Sequence, residues 1–238
     1  MDENELKTQS EEEILTEKEE KELKRLKKKL VRRLILFLVL VLLFLISLKD
    51  IEKWVCTSRK PVIYLYPVSP TEVSVKLDFD GELTTTYPSY EDGWKVTAEP
   101  DGLLTDANGM TYNYLYWEGN YSNSYDMTRG FCVKGSETAV FLEKALAELG
   151  LTRKEANEFI VYWLPMMEKN KYNIISFQKE SYTEHARLDI EPAPDTVIRV
   201  FMTWYESKKP VKLEPQQLSA PERTGFTVVE WGGSEIKK

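Results

Sequence analysis

The residues best suited to chemistry in this chain are acids placed beside large rings. Trp117-Glu118, Trp204-Tyr205-Glu206 and Glu230-Trp231 each set a carboxylate next to an aromatic side chain, and Trp94 follows Asp92 in a turn. Two carboxylates facing across a cleft with aromatic walls are the working parts of a glycosidase. The same residues without paired acids can hold a sugar or a peptide by stacking and hydrogen bonding. Trp94, Trp117, Glu118, Trp204, Glu206, Glu230 and Trp231 are therefore the ligand-binding candidates. Against them stands a plain alternative: residues 49–238 hold 29 acids, so such neighbours arise by chance, and large rings commonly fill strand cores.

Other chemistries are poorly supplied. One histidine, His185 in "TEHARL", excludes zincin motifs, which need two on a helix, and two cysteines fall short of a Cys-rich zinc site. His185 beside Ser181 or Cys132 could make a catalytic pair, but a loop histidine is the simpler reading. There is no GxSxG elbow. "VEWGGSE" has paired glycines with no helix after it, so they are expected to close a terminal strand in a turn rather than cradle phosphate. "DANG" at 106–109 echoes part of a calcium loop without its remaining ligands. No metal, no cofactor and no assignable catalytic residue is expected. Cys56 and Cys132 form a disulfide candidate, closing a loop of about 75 residues worth roughly 4 kcal/mol on the chain-entropy account.

The elements that must position these residues begin after a charged tail. Residues 1–33 carry ten acids and ten bases with few large apolar groups, so they cannot bury a core. Residues 34–48, "LILFLVLVLLFLISL", are uncharged and are predicted to form a transmembrane helix, extendable to residue 30 with Arg32 and Arg33 snorkelling. Trp54 would mark the far interface. Eight Lys or Arg in "KELKRLKKKLVRR" precede the span, which places the N-terminus in the cytoplasm and the rest outside the cell membrane. The bilayer is thus a partner through residues 30–48. Residues 49–59 then read as a stalk and 60–238 as an extracytoplasmic domain. With 22 bases against 29 acids beyond the span, the whole formal charge of −7 lies there, and nucleic acid is a poor partner.

Within that domain "KPVIYLYP" reads as a strand fenced by prolines and buried on both faces. "TEVSVKLDF" alternates, and Asp80-Gly81, Asp92-Gly93, Asp101-Gly102 and Asn108-Gly109 punctuate short strands, which predicts an antiparallel meander. "SETAVFLEKALAELG" predicts a helix with Ser136 as N-cap, and "TRKE" opens a second helix with a capping box. "FIVYWLP" is expected to be a strand stopped by Pro165, followed by "YNIISFQ", "TVIRVFMTWY" and "FTVVEW". The class is α+β: a meander, a helix pair and further strands.

Taken in order, "KPVIYLYP", "KLDFDGEL", "DGWKVTAEPDG", "YLYWEG", "EFIVYWLP", "ISFQ", "PDTVIRVFM" and "GFTVVEWGG" make the chain resemble a family of uncharacterised, mostly microbial proteins that carry the KPVIYLYP to VEWGG pattern. The resemblance covers about residues 59 to 234 and implies one folded unit. It brings no catalytic or binding residues with it. The function expected is therefore a single-pass envelope protein whose outer domain binds or organises a glycan or protein, with a carbohydrate hydrolase using paired carboxylates as the alternative.

Overall fold

The computed structural model describes residues 25, 27–41, 55–122 and 125–236. The chain divides into two compact units, residues 1–53 and 54–238.

The first unit contains helix α1, residues 27–41. Five of the seven residues from 27 to 33 are Lys or Arg. No described helix is long and apolar enough to cross a membrane. The transmembrane helix expected at 34–48 is thus corrected: residues 34–41 of it belong to α1, and α1 is not among the helices long and apolar enough to cross. Residues 42–48 and Trp54 lie outside the described residues.

The second unit is a three-layer α+β structure. Its middle layer is a seven-stranded sheet in the order β3-β7-β1-β12-β11-β9-β8, comprising β1 (Val55–Tyr66), β3 (Glu82–Tyr87), β7 (Leu115–Ser122), β8 (Phe131–Lys134), β9 (Tyr172–Gln178), β11 (Thr196–Ser207) and β12 (Thr227–Glu235). A five-stranded sheet, β10-β2-β4-β5-β6, covers one face. It is built from β2 (Thr71–Phe79), β4 (Trp94–Ala98), β5 (Leu104–Thr105), β6 (Thr111–Tyr112) and β10 (Ala186–Glu191). Helices α2 (Thr138–Glu148) and α3 (Arg153–Met167) cover the other. A one-turn helix, α4 (Glu180–Thr183), links β9 to β10.

Position in the middle layer explains the composition of β1. Val62 and Tyr64 face the helices, Ile63 and Leu65 face the second sheet, and all four are at most 1% exposed. Such a strand must be apolar at every position, as "VIYLY" is. Its first residues, 55–59, occupy the place expected for the stalk, with 55–58 paired to β7 and Arg59 to β12. The meander is only partly realised. Strands β2, β4, β5 and β6 are antiparallel neighbours, but β3 crosses to the other sheet to pair with β7, and β11 runs parallel to β12.

The segment "FIVYWLP" is helical. Ala156, Phe159, Trp163 and Met167 share the buried face of α3 at helical spacing. Pro165 sits on its exposed side near the C-terminus, where the carbonyl of Val161 that loses its donor can turn to water. The glycines of "VEWGG" do not turn the chain; both lie inside β12. A Cβ at Gly232 would stand 3.0 Å from Pro61 Cα, and one at Gly233 2.5 Å from the Met202 carbonyl, so close strand and helix approach requires their absence.

Candidate ligand-binding site around Lys60

The five described tryptophans, Trp94, Trp117, Trp163, Trp204 and Trp231, are each at most 2% exposed. They are core residues and offer no stacking wall to a ligand. Glu230 is 1% exposed between the sheets, where Arg199 Nε donates to its Oε2 at 2.6 Å and Trp117 Nε1 to its Oε1 at 3.2 Å. Arg199 in turn lies 4.8 Å from the ring centroid of Tyr182, whose pKa burial raises first and Glu230 second. Glu206 is on the exposed end of β11. Of the sequence candidates, Trp117 and Glu230 thus meet in the core, while Glu118 reaches the cluster described below and Trp231 lies under it beside Tyr64.

The expected disulfide is also corrected. Cys132 is a free thiol whose sulfur accepts a hydrogen bond from the Val211 amide at 3.4 Å. Cys56 lies on β1 and Cys132 on β8, with β12, β11 and β9 between them. Four strand steps of about 4.8 Å put roughly 19 Å between these strands, far beyond the ~7 Å a disulfide spans. Among the described residues no group of His, Cys, Asp or Glu could hold a metal ion.

What the structure does gather is a tyrosine cluster at the helix-facing surface of β1. A register shift in the pairing of β1 between Arg59 and Val62 marks a bulge. Inside it, Lys60 has φ of +54°, the one positive φ among described residues other than glycine. Such backbone costs on the order of 1–3 kcal/mol and persists where surrounding contacts impose it. Here the contacts are visible. The Lys60 amide donates to Glu118 Oε1 at 3.1 Å, and its ammonium donates to the Tyr114 hydroxyl at 3.2 Å. The same ammonium stands 5.1, 5.6 and 5.9 Å from the ring centroids of Tyr114, Tyr116 and Tyr162, within cation–π range.

The cluster continues along β1. Tyr64 stacks with Tyr66 and meets Tyr114 edge-on, and its hydroxyl donates to Glu158 Oε2 at 2.9 Å. Burial first, then the Glu158 carboxylate, raises the Tyr64 pKa; burial and Glu155 do the same for Tyr66, and burial and Glu118 for Tyr116. These phenols stay protonated as donors. Glu155 is itself fully buried, accepts from the Thr152 amide at 2.7 Å, and takes both ends of the Arg223 guanidinium. Lys60, Tyr66, Tyr114, Tyr116, Tyr162, Glu118 and Glu158 are only partly buried, so faces of the cluster remain accessible.

A sequence signal for this site existed in two tyrosine pairs at two-residue spacing, "YLY" at 64–66 in β1 and "YLY" at 114–116 leading into β7. Period two places each pair on one face of a sheet. The sequence reading assigned these rings to the core.

No family model matches the chain, and no solved structure matches it. Over 64 residues the chain is 50% identical to "Uncharacterized protein in bglA 3'region" of Butyrivibrio fibrisolvens, a stretch that is 26% of this chain and 66% of the relative. The likeness carries no residue roles.

Proposed function

We propose that the protein is a binding module rather than a catalyst, and that its ligand is a neutral, hydroxyl-rich chain of the glycan class received at the Lys60 cluster. The observation that carries this reading is the strained Lys60, held by Glu118 and Tyr114 so that its ammonium lies on three tyrosine rings at a partly open surface. Local strain maintained by dedicated contacts is a mark of a functional position. Charge then selects the ligand. Around the rings stand three cations, Arg59, Lys60 and Arg223, and three carboxylates, Glu118, Glu155 and Glu158. A site balanced in this way favours neither an anion nor a cation. It does offer donors and acceptors for hydroxyl groups and aromatic faces for sugar rings.

The geometry does not favour the carboxylate-pair hydrolase. Of the acids named for that role, Glu230 is sealed against Arg199, Glu206 is at an exposed strand end, and Glu118 is engaged by the Lys60 backbone. Titration of the full-length chain with neutral oligosaccharides, followed through tyrosine ring resonances, tests the reading. Binding weakened at least tenfold by Tyr116→Ala and by Lys60→Met supports it. Binding indifferent to both substitutions, or shifts confined to other surfaces, overturns it.

A further inference from the structure

The helix pair leaves part of the middle sheet uncovered. On the sheet side, the buried apolar residues of the core beneath α2 and α3 come from β8, β9, β11, β12 and β1, and none from β7 or β3. Strand β7 shows the consequence. Its odd-numbered residues Leu115, Trp117 and Tyr121 are buried on the second-sheet side, while Tyr116, Glu118 and Asn120, on the helix side, are only partly buried. Those three make a floor that runs out from under α3, and Tyr162 of α3 stands as a wall beside it. Lys60 lies in the corner, where its ammonium meets the Tyr116 ring of the floor at 5.6 Å and the Tyr162 ring of the wall at 5.9 Å.

Hydrogen-bond direction decides what this corner offers. The Lys60 amide and the Tyr116 hydroxyl both donate to Glu118, and a carboxylate has room for about four such bonds, so Glu118 retains acceptor capacity. Tyr114 has the opposite role. Its oxygen accepts from Lys60 Nζ at 3.2 Å, and among the described residues nothing takes its own proton. The ammonium keeps two further protons beyond the one it gives to Tyr114. Period two sets Tyr114 and Glu118 to either side of Tyr116 on one face, so a donor and an acceptor flank an aromatic ring.

We infer that this corner selects sugars that carry an acetamido group, with the carbonyl taken by Lys60 Nζ and the Tyr114 hydroxyl, the N–H by Glu118, and the methyl laid on the tyrosine rings. The inference rests on the glycan reading above and adds which substituent is recognised. An acetamido group is neutral and carries a donor, an acceptor and an apolar methyl in one plane, which is the set of partners the corner presents. A hydroxyl in its place would satisfy the polar atoms and leave the rings without an apolar contact. A free amino group would bring a second cation up to Lys60.

The test titrates the full-length chain with three β-1,4-linked tetramers that differ only at the second carbon of each ring: N-acetylglucosamine, glucose and glucosamine. The acetylated tetramer should bind about tenfold more tightly than either of the others, with magnetisation transfer from the protein strongest at its acetyl methyls. Tyr114→Phe keeps the ring and removes the hydroxyl, so it should narrow that preference about fivefold, the worth of one hydrogen bond. The comparison of tetramers is made on the native chain and holds whether or not the variant folds. Equal binding of the acetylated and glucose tetramers overturns the inference and leaves the glycan reading standing. Binding of the glucosamine tetramer as tight as the acetylated one overturns it too, because charge would then be what is recognised. Failure of all three to bind overturns both.

Discussion

Removing Glu230 should unfold much of the margin on which the second unit stands. Its carboxylate is 1% exposed and meets Arg199, whose side chain is 10% exposed, at 2.6 Å. At an effective dielectric of about 20 the gross attraction at that distance is roughly 6 kcal/mol. Most of that offsets the cost of taking both charges from water. Glu230→Leu keeps the volume but strands the Arg199 guanidinium between the sheets, and an uncompensated buried charge costs about 3–5 kcal/mol. For a folded unit of this size each kcal/mol moves the midpoint by about 2–4 °C, so thermal melting followed by circular dichroism should drop by about 6–20 °C. The paired variant Arg199→Met/Glu230→Leu removes both charges and should recover to within about 1 kcal/mol of the parent. A single variant that melts within about 2 °C of the parent would refute the reasoning, as would a double variant no better than the single. In either case Arg199 would be reaching solvent and the pair would not be a buried one.

Thr152→Ala removes a capping-box acceptor of α3 and should cost about 1 kcal/mol in urea unfolding, whereas Glu155→Ala also strips Arg223 and the Thr152 amide of their partner and should cost at least twice as much. Equal costs would mean that Glu155 serves the cap alone. Tyr64 has a pKa raised by burial and then by Glu158, so its contribution to stability is complete below the unfolded value near pH ~10 and falls as pH rises past it, by about 1.4 kcal/mol per pH unit. Urea midpoints for Tyr64→Phe should decline less steeply than the parent's above about pH 10, and parallel curves would contradict the assignment. Cys132 should take up alkylating reagent without reductant, and the mobility of the chain on a non-reducing gel should not change in Cys56→Ser. A mobility shift would require the two strands to lie closer than the sheet order allows.

The residues that announce themselves in the sequence are those whose role is local. The period-two burial of β2, with Val73, Val75 and Leu77 inside, follows from "TEVSVKLDF" alone, and so does the capping box of α3. Where the outcome depended on distant partners, local pattern misled. "FIVYWLP" has β-branched and aromatic residues in a short apolar run, yet its Phe159 and Trp163, with Ala156 before it and Met167 after it, match one face of a helix that has the middle sheet to lie on. The transmembrane reading rested on one apolar run, whereas no described helix is long and apolar enough to cross a membrane. For the cysteines, compartment and even number are silent about which strands separate two residues.

The Lys60 cluster was the least legible part for a reason that also bears on how it works. Its contacts join residues 54 to 102 positions apart, from β1, from the approach to β7 and from α3, so no window of sequence contains it. All of them are nevertheless referred to one strand. Alternate residues of β1, Tyr64 included, fill the core on both sides, and Tyr66 and Lys60 extend from that same strand to the surface. Because the strand is fixed by β12 on one edge and β7 on the other, the bulge at Lys60 cannot relax without breaking ladders on both. The same two ladders that set the strand in the core therefore hold Lys60 in its costly conformation, and the tyrosine rings are in place before any ligand arrives. A site organised in this way loses little conformational entropy on binding. Substitutions at its tyrosine rims should change affinity while sparing the fold, whereas substitutions at Val62 or Leu65, which are fully buried in the two cores, should do the reverse.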